Sequence, residues 1–157
     1  MAPRINCLCM DNSQFSYDAL TWYFDNFHRS DDVIALIHIH QMPQLPSMGL
    51  MAGAFPVTDD YRTSIKKSID ESNGLVEKFK KRCEERNATH KILKSDSHHS
   101  PGQIICDLAK ENNASAIILG QRGLSKFSRA LLGSTSDYVL HHSDITVIVV
   151  PPKNASD

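Results

Sequence analysis

Two runs of almost unbroken apolar, largely β-branched residues, Val33-Ile-Ala-Leu-Ile-His-Ile39 and Thr146-Val-Ile-Val-Val150, constrain this chain more than any other feature. A strand that alternates apolar and polar residues can leave one face in water. A run without alternation must be covered on both faces, and a parallel sheet between two layers of helices supplies that cover. Shorter runs of the same kind lie at Ile5 to Met10 and Ala114 to Leu119, with a weaker one at His90 to Lys94. Between the runs, apolar residues recur every three or four positions, as on the buried stripe of a helix. Phe15, Ala19, Leu20, Tyr23 and Phe27 form the first stripe. The second runs from about Asp59 to Arg86, with Ile65, Ile69, Leu75, Val76 and Phe79 inward, Lys66, Lys67, Lys78, Lys80 and Lys81 outward, and Gly74 as a loosening point. Pro101 opens a third helix through Ile104, Ile105, Leu108 and Ala109, and Ser134 to His142 is the fourth. Strictly alternating strand and helix predicts an α/β fold: a doubly wound, Rossmann-like sandwich with five parallel strands and about four helices.

A chain of 157 residues with 41% hydrophobic and 22% charged content is expected to form one domain over residues 1–157. Its net charge of −1 disfavours a general nucleic-acid binder, which needs a basic stripe to hold phosphate backbones. Met1-Ala-Pro-Arg-Ile-Asn carries no signal-peptide core and the apolar runs are strand-sized, so no membrane association and a cytoplasmic location are expected. Cys7, Cys9, Cys83 and Cys106 show no CxxC spacing, and reduced thiols are expected there. Residues 41–58 break the pattern with Pro43, Pro46, Pro56, Gly49, Gly53 and three methionines, and read as an irregular, flexible insert.

Open parallel sheets bind ligands beyond the carboxyl ends of their strands, near the switch in strand order, which directs attention to Asp11, Ile39 and Gly120. The segment from Gly120 to Ser136 is the most informative. Gly120 and Gly123 stand three apart, Gly133 follows ten later, and Gly133-Ser134-Thr135 opens a helix. Glycines let backbone turn sharply and approach a phosphate. A helix start adds unpaired amides and a positive dipole end, which attract anions, and the hydroxyls there donate further bonds.

Gly-x2-Gly-x9-Gly-Ser, formed by Gly120, Gly123, Gly133 and Ser134, is the nucleotide signature of ATP-binding universal stress proteins, and the sequence resembles that family over nearly its whole length. The strand ending in Asp11-Asn-Ser, Leu36-Ile-His-Ile39, Pro101-Gly-Gln-Ile-Ile and the closing Ile145-Thr-Val-Ile-Val-Val also resemble family landmarks. The resemblance implies an adenine nucleotide alpha hydrolase-like fold and binding of ATP, ADP or AMP, with any Mg held mainly by phosphates and water. It implies that Met10 and Asp11 border the adenosine and that Ile39 packs on adenine. Leu119, Gly120, Arg122 and Gly123 would line ribose and phosphates, and Gly133, Ser134, Thr135 and Ser136 would form the phosphate-binding helix start. It also implies a homodimer through the Ile145 to Val150 strand. One departure is that family members commonly carry a glycine just after the third strand, where this chain has Lys94-Ser-Asp-Ser-His-His-Ser100.

Blander readings compete with several of these assignments. Asp11 also suits a helix cap or turn, and Arg122, Lys126 and Arg129 also suit a solvated basic face. His98-His99, His141-His142, His38 and His40, with Cys7 and Cys9, have no standard zinc spacing, so no metal is expected. No GxxxxGK[ST], GxSxG, HExxH or convincing GxGxxG motif offers a nucleophile or base. Three functions remain: a nucleotide-binding stress-response or signalling module with the nucleotide as regulatory or stabilising ligand, a slow ATP hydrolase, and a nucleotide-free interaction module.

Overall fold

Each of the five apolar runs forms a strand, and all pair in parallel in the order third, second, first, fourth, fifth. The structure, a computed structural model, describes residues 2–43, 59–96, 99–121 and 133–153. In chain order the elements are β1 (Ile5–Cys9), α1 (Gln14–Asn26), β2 (Val33–His40), α2 (Asp59–Glu85), β3 (His90–Asp96), α3 (Pro101–Glu111), β4 (Ala116–Gly120), α4 (Ser134–His142) and β5 (Thr146–Val150). Most of the predicted insert, residues 44–58, lies outside the described residues.

The side-chain period of two divides the core into two layers. Leu8, Met10, Ile34, Leu36, Ala116, Ile118 and Val150 face Leu20 and Tyr23 of α1 and Leu75, Val76 and Phe79 of α2. On the other face Cys7, Ala35, Ile37, Ile117 and Leu119 meet Ile105 and Ala109 of α3 and Val139 of α4. The central strands β1, β2 and β4 are buried along their middles, as unbroken apolar runs require, while β3 and β5 are half-buried edges. All four cysteines are free thiols, and no helix among the described residues is long and apolar enough to cross a membrane.

Three sequence expectations change. β3 runs past Lys94 to Asp96 because Ser95 and Asp96 continue the pairing opposite Ile39 and His40. β4 begins at Ala116 rather than Ala114, since α3 ends in a closing turn. Asn113 takes a left-handed φ of 51°, and the Ala114 amide returns to the Ala109 carbonyl at 2.9 Å. Ile69 points outward, 43% exposed. The sheet-facing row of α2 instead holds Ser68 and Ser72, each 2.8 Å from a β2 histidine, His40 and His38 respectively, and Ile69 sits one step around the helix. Gly74 leaves the helix continuous.

At the amino ends of the strands, buried Asp32 gathers a polar network. Its carboxylate accepts from Arg4 Nε at 2.8 Å, from a second Arg4 nitrogen at 2.7 Å, from Tyr23 Oη at 3.0 Å, from Asn6 Nδ2 at 3.1 Å and from the Arg29 amide at 2.9 Å. Burial alone would raise this carboxyl, but Arg4, the Arg29 amide and Tyr23 outweigh it and hold it below the usual aspartate value.

Candidate functional site

The strand order reverses at β1, so the chain leaves β1 toward one face of the sheet and β4 toward the other. A crevice opens where these paths diverge. It is a cavity of about 440 Å3 built from the carboxyl ends of β1, β2 and β4 and the first turns of α1, α3 and α4. Its apolar walls include Ile37, Ile39, Ile105 and Leu119. Asp11 is the one charged side chain among its described lining residues.

Three helices therefore begin at the cavity, and they are finished differently. Ser13 caps α1, its hydroxyl accepting from the Ser16 amide at 3.4 Å, and Ser100 caps α3 through the Gln103 amide at 3.3 Å. At α4 the cap position is Gly133, which has no side chain, and among the described residues no side-chain bond caps that end. The Ser136 hydroxyl turns back to donate to the Gly133 carbonyl at 2.9 Å. The α4 start thus presents first-turn amides and the positive dipole end without a cap from Gly133, and the carboxylate of that turn, Asp137, is exposed and stands 3.6 Å from His141.

The glycines at the site have different physical reasons. A β-carbon on Gly120 would lie 2.5 Å from the Phe15 carbonyl carbon and nearer still to its oxygen, so α1 can pack on β4 only if this residue is glycine. Gly133 has no such constraint. Its φ of −60° and ψ of 152° suit any residue, and among the described residues the nearest atom to an added β-carbon is Ser136 Oγ at 3.8 Å. Packing therefore explains Gly120, whereas no described residue crowds Gly133.

Asp11 holds its own turn. Its Oδ1 accepts from the Ser13 amide at 2.9 Å and from the Ser13 hydroxyl, while the Ser16 hydroxyl donates to the Asp11 carbonyl at 2.7 Å. Beneath this turn lies His38, with Nδ1 3.4 Å from the Met10 carbonyl and Nε2 2.8 Å from Ser72 Oγ. A carbonyl only accepts, so Nδ1 carries the proton and Nε2 receives one from Ser72. Burial holds the imidazole below its ordinary pKa and therefore neutral at pH 7.

Nine of the residues named from the sequence line the cavity: Met10, Asp11, Ile39, Leu119, Gly120, Gly133, Ser134, Thr135 and Ser136. Arg122 and Gly123 lie outside the described residues, as do Lys126, Arg129 and His98. The lining also includes Cys9, Ser13, Ser16, Ile37, Gln41, Pro101 and Ile105, which sequence reasoning did not place at the site. Ser13 was findable as the capping hydroxyl following Asp11-Asn, and Ile105 as the residue one turn inside a proline-initiated helix. Cys9 carries no comparable signal. Its thiol is pushed well above its ordinary value by burial, with Cys7, Asp11 and Cys106 adding to the effect, so it is not a ready nucleophile.

The histidines and cysteines do not converge. His38 and His40 face the serines of α2, Cys7 and Cys9 face the α3 side, and His141 and His142 bond carbonyls of their own helix at 2.8 Å each. Among the described residues no group of three His, Cys, Asp or Glu side chains is placed to hold a metal ion.

The sequence profile of the Universal stress protein family matches residues 4–151. Universal stress protein Slr1101 of Synechocystis sp. is 50% identical over 52 residues, which is 33% of this chain and 48% of that relative. The other curated relatives are likewise matched over less than two thirds of their own length, between 32% and 62%. Among solved structures, hypothetical protein MJ0577 superposes with a TM-score of 0.73 at 21% identity, covering 99% of this chain and 100% of that one. A universal stress protein family protein of Arabidopsis thaliana, At3g01520, solved with AMP bound, superposes with a TM-score of 0.71 at 17% identity, covering 97% of this chain and 94% of that one. At these identities the structural likeness establishes the shared α/β architecture, and the profile match across nearly the whole length establishes the lineage: the chain belongs to the universal stress protein family.

Proposed function

We propose that the cavity at the ends of β1 and β4 holds an adenine nucleotide, ATP, ADP or AMP, as a regulatory or stabilising ligand of a stress-response or signalling module. The observation that carries this reading is the start of α4. Gly133 leaves its first-turn amides without a side-chain cap, directly beside an apolar-walled cavity whose 440 Å3 or so falls in the range of small-molecule sites. Family membership and the AMP complex of the Arabidopsis structure support it.

In the proposed arrangement adenine packs on Ile39 beside Ile37 and Leu119, and Met10 and Asp11 border the adenosine. The phosphates meet Gly133, Ser134, Thr135 and Ser136, with Leu119, Gly120, Arg122 and Gly123 completing the ribose and phosphate wall. Because Asp11 is the only charged side chain of the described lining and its Oδ1 is engaged by Ser13, the ligand is proposed to be held rather than turned over. A triphosphate would bring Mg bound mainly to its own oxygens and water. Binding to the folded state alone would stabilise it by mass action.

The chain is further proposed to work as a single cytoplasmic domain and to dimerise through residues 145–150. The position of β5 at the sheet edge supports this, because among the described residues only one of its sides is paired. The test of the nucleotide reading is amide hydrogen exchange over residues 120–136. Slowed exchange of Ser134 to Ser136 on adding ATP or AMP is expected, and unchanged exchange at saturating nucleotide would overturn the reading.

A further inference from the structure

A second concavity lies on the outer side of α1 and α2. It encloses about 430 Å3. Its α1 wall is Tyr17, Leu20, Thr21 and Phe24, spaced i, i+3, i+4 and i+7. The α2 wall, Lys78, Lys81, Arg82 and Glu85, has the same spacing, and Arg86 extends it. Residues at this spacing share one helix face, so the groove is bounded by two rows that each run for about two turns, roughly 10 Å.

The chemistry of the rows is complementary. α1 supplies ring faces, with Tyr17 stacked on Phe79 at 4.6 Å. α2 supplies cations over those rings: the Arg82 guanidinium stands 4.8 Å above the centre of Tyr17 and that of Arg86 5.3 Å above Phe24. Four cations line the groove against one carboxylate, Glu85, on a chain whose net charge is −1, so the positive charge is concentrated here and is not a general property of the surface. Arg86 pairs with Asp25 at 3.5 Å and Lys80, outside the groove, pairs with Glu77. Among the described residues Lys78, Lys81 and Arg82 make no ion pair.

We propose that this groove docks an acidic amphipathic helix of a partner protein. Apolar anchors at i, i+3, i+4 and i+7 would lie along the half-buried edges of Tyr17 and Phe24, whose faces already carry Arg82 and Arg86, while glutamates or aspartates flanking them meet Lys78, Lys81 and Arg82. A short groove with aromatic walls favours such a segment over a nucleic-acid backbone, which needs a longer track of cations. The same helix α1 starts at the candidate nucleotide cavity, where Ser13 and Ser16 line the wall just before Tyr17. The proposal does not depend on the cavity's ligand.

The test uses fluorescence anisotropy with the full chain and three labelled synthetic peptides of about four helical turns. One carries Leu and Phe at i, i+3, i+4 and i+7 with Glu on the flanks; the second has Lys in place of every Glu; the third has the first one's composition with the period broken. Saturable binding of the first alone is expected, weakening as salt rises. It should fall at least about tenfold in a Lys78→Glu, Lys81→Glu variant whose melting is unchanged, since both side chains are exposed and neither makes an ion pair or a ring contact among the described residues. No saturable binding, equal binding of the third peptide, or full affinity in the charge-reversed variant overturns the proposal. Preferential binding of a single-stranded RNA oligomer, lost in that variant, would overturn it in favour of nucleic acid.

Discussion

Placing a methyl group on Gly120 tests how α1 sits on the sheet and so how the cavity is framed. The added β-carbon would stand 2.5 Å from the Phe15 carbonyl carbon, whereas such atoms settle about 3.5–4.0 Å apart. Helix or strand would have to give by roughly 1 Å, and the obstacle is backbone rather than a side chain that can rotate away. Overpacking of this kind costs about 1–3 kcal/mol. The smaller entropy of an unfolded chain with alanine returns about 0.4–1 kcal/mol, leaving a net loss of about 1–2 kcal/mol. In a domain of this length 1 kcal/mol moves the melting temperature by about 2–4 °C, so Gly120→Ala should melt about 2–8 °C below the wild type. Gly133→Ala is the matched control: its β-carbon finds nothing closer than 3.8 Å among the described residues and its backbone angles suit alanine, so its melting should stay within about 2 °C of wild type. Circular dichroism melts with urea titrations at constant slope read both. A Gly120→Ala protein as stable as wild type would refute the close packing of α1 on β4.

Removing the hub of the opposite pole should separate stability from ligand binding. Asp32→Ala leaves Arg4, Tyr23 and Asn6 without their shared acceptor and should cost about 3–5 kcal/mol in urea unfolding, while nucleotide affinity of the folded protein stays unchanged; a loss under 1 kcal/mol or so contradicts the network. His38 should titrate in NMR below the ordinary imidazole value of about 6.5. Its folded pKa is depressed, so the unfolded chain binds the extra proton, and this contribution is complete above about pH 6.5 and is lost as pH falls through the folded value. A His38 resonance titrating at or above 6.5 or so would contradict its burial.

The sheet and helices were legible because each element carries its own period. Val33 to Ile39 and Thr146 to Val150 both read as strands, though only the first is covered on both faces and the second is a half-buried edge, and Ser134 to His142 was bounded by Gly133 before it. The errors came from information that periodicity lacks. Ile69 satisfied the helical stripe but is turned out by the bonds of Ser68 and Ser72 to His40 and His38, which depend on how β2 is oriented under α2. Asn113 in a left-handed turn moved the start of β4 by two residues, and asparagine before a strand was the available clue. The Asp32 network was invisible because it joins Arg4, Asn6, Tyr23 and Asp32 through the pairing of β1 with β2, where no motif exists. At the cavity, Gly120 and Gly133 looked alike in sequence; only the position of Phe15 shows that one is required by packing and the other is not.

The central claim is that an adenine nucleotide binds at the start of α4. The direct measurement is calorimetric titration of nucleotide-stripped protein with ATP and Mg, beside a Gly133→Val, Ser134→Ala double variant whose fold is checked by circular dichroism. Saturable binding by the wild type that is lost in the folded variant is the expected result. No heat of binding from the wild type, or equal affinity in both proteins, would contradict the claim and remove the nucleotide from this cavity.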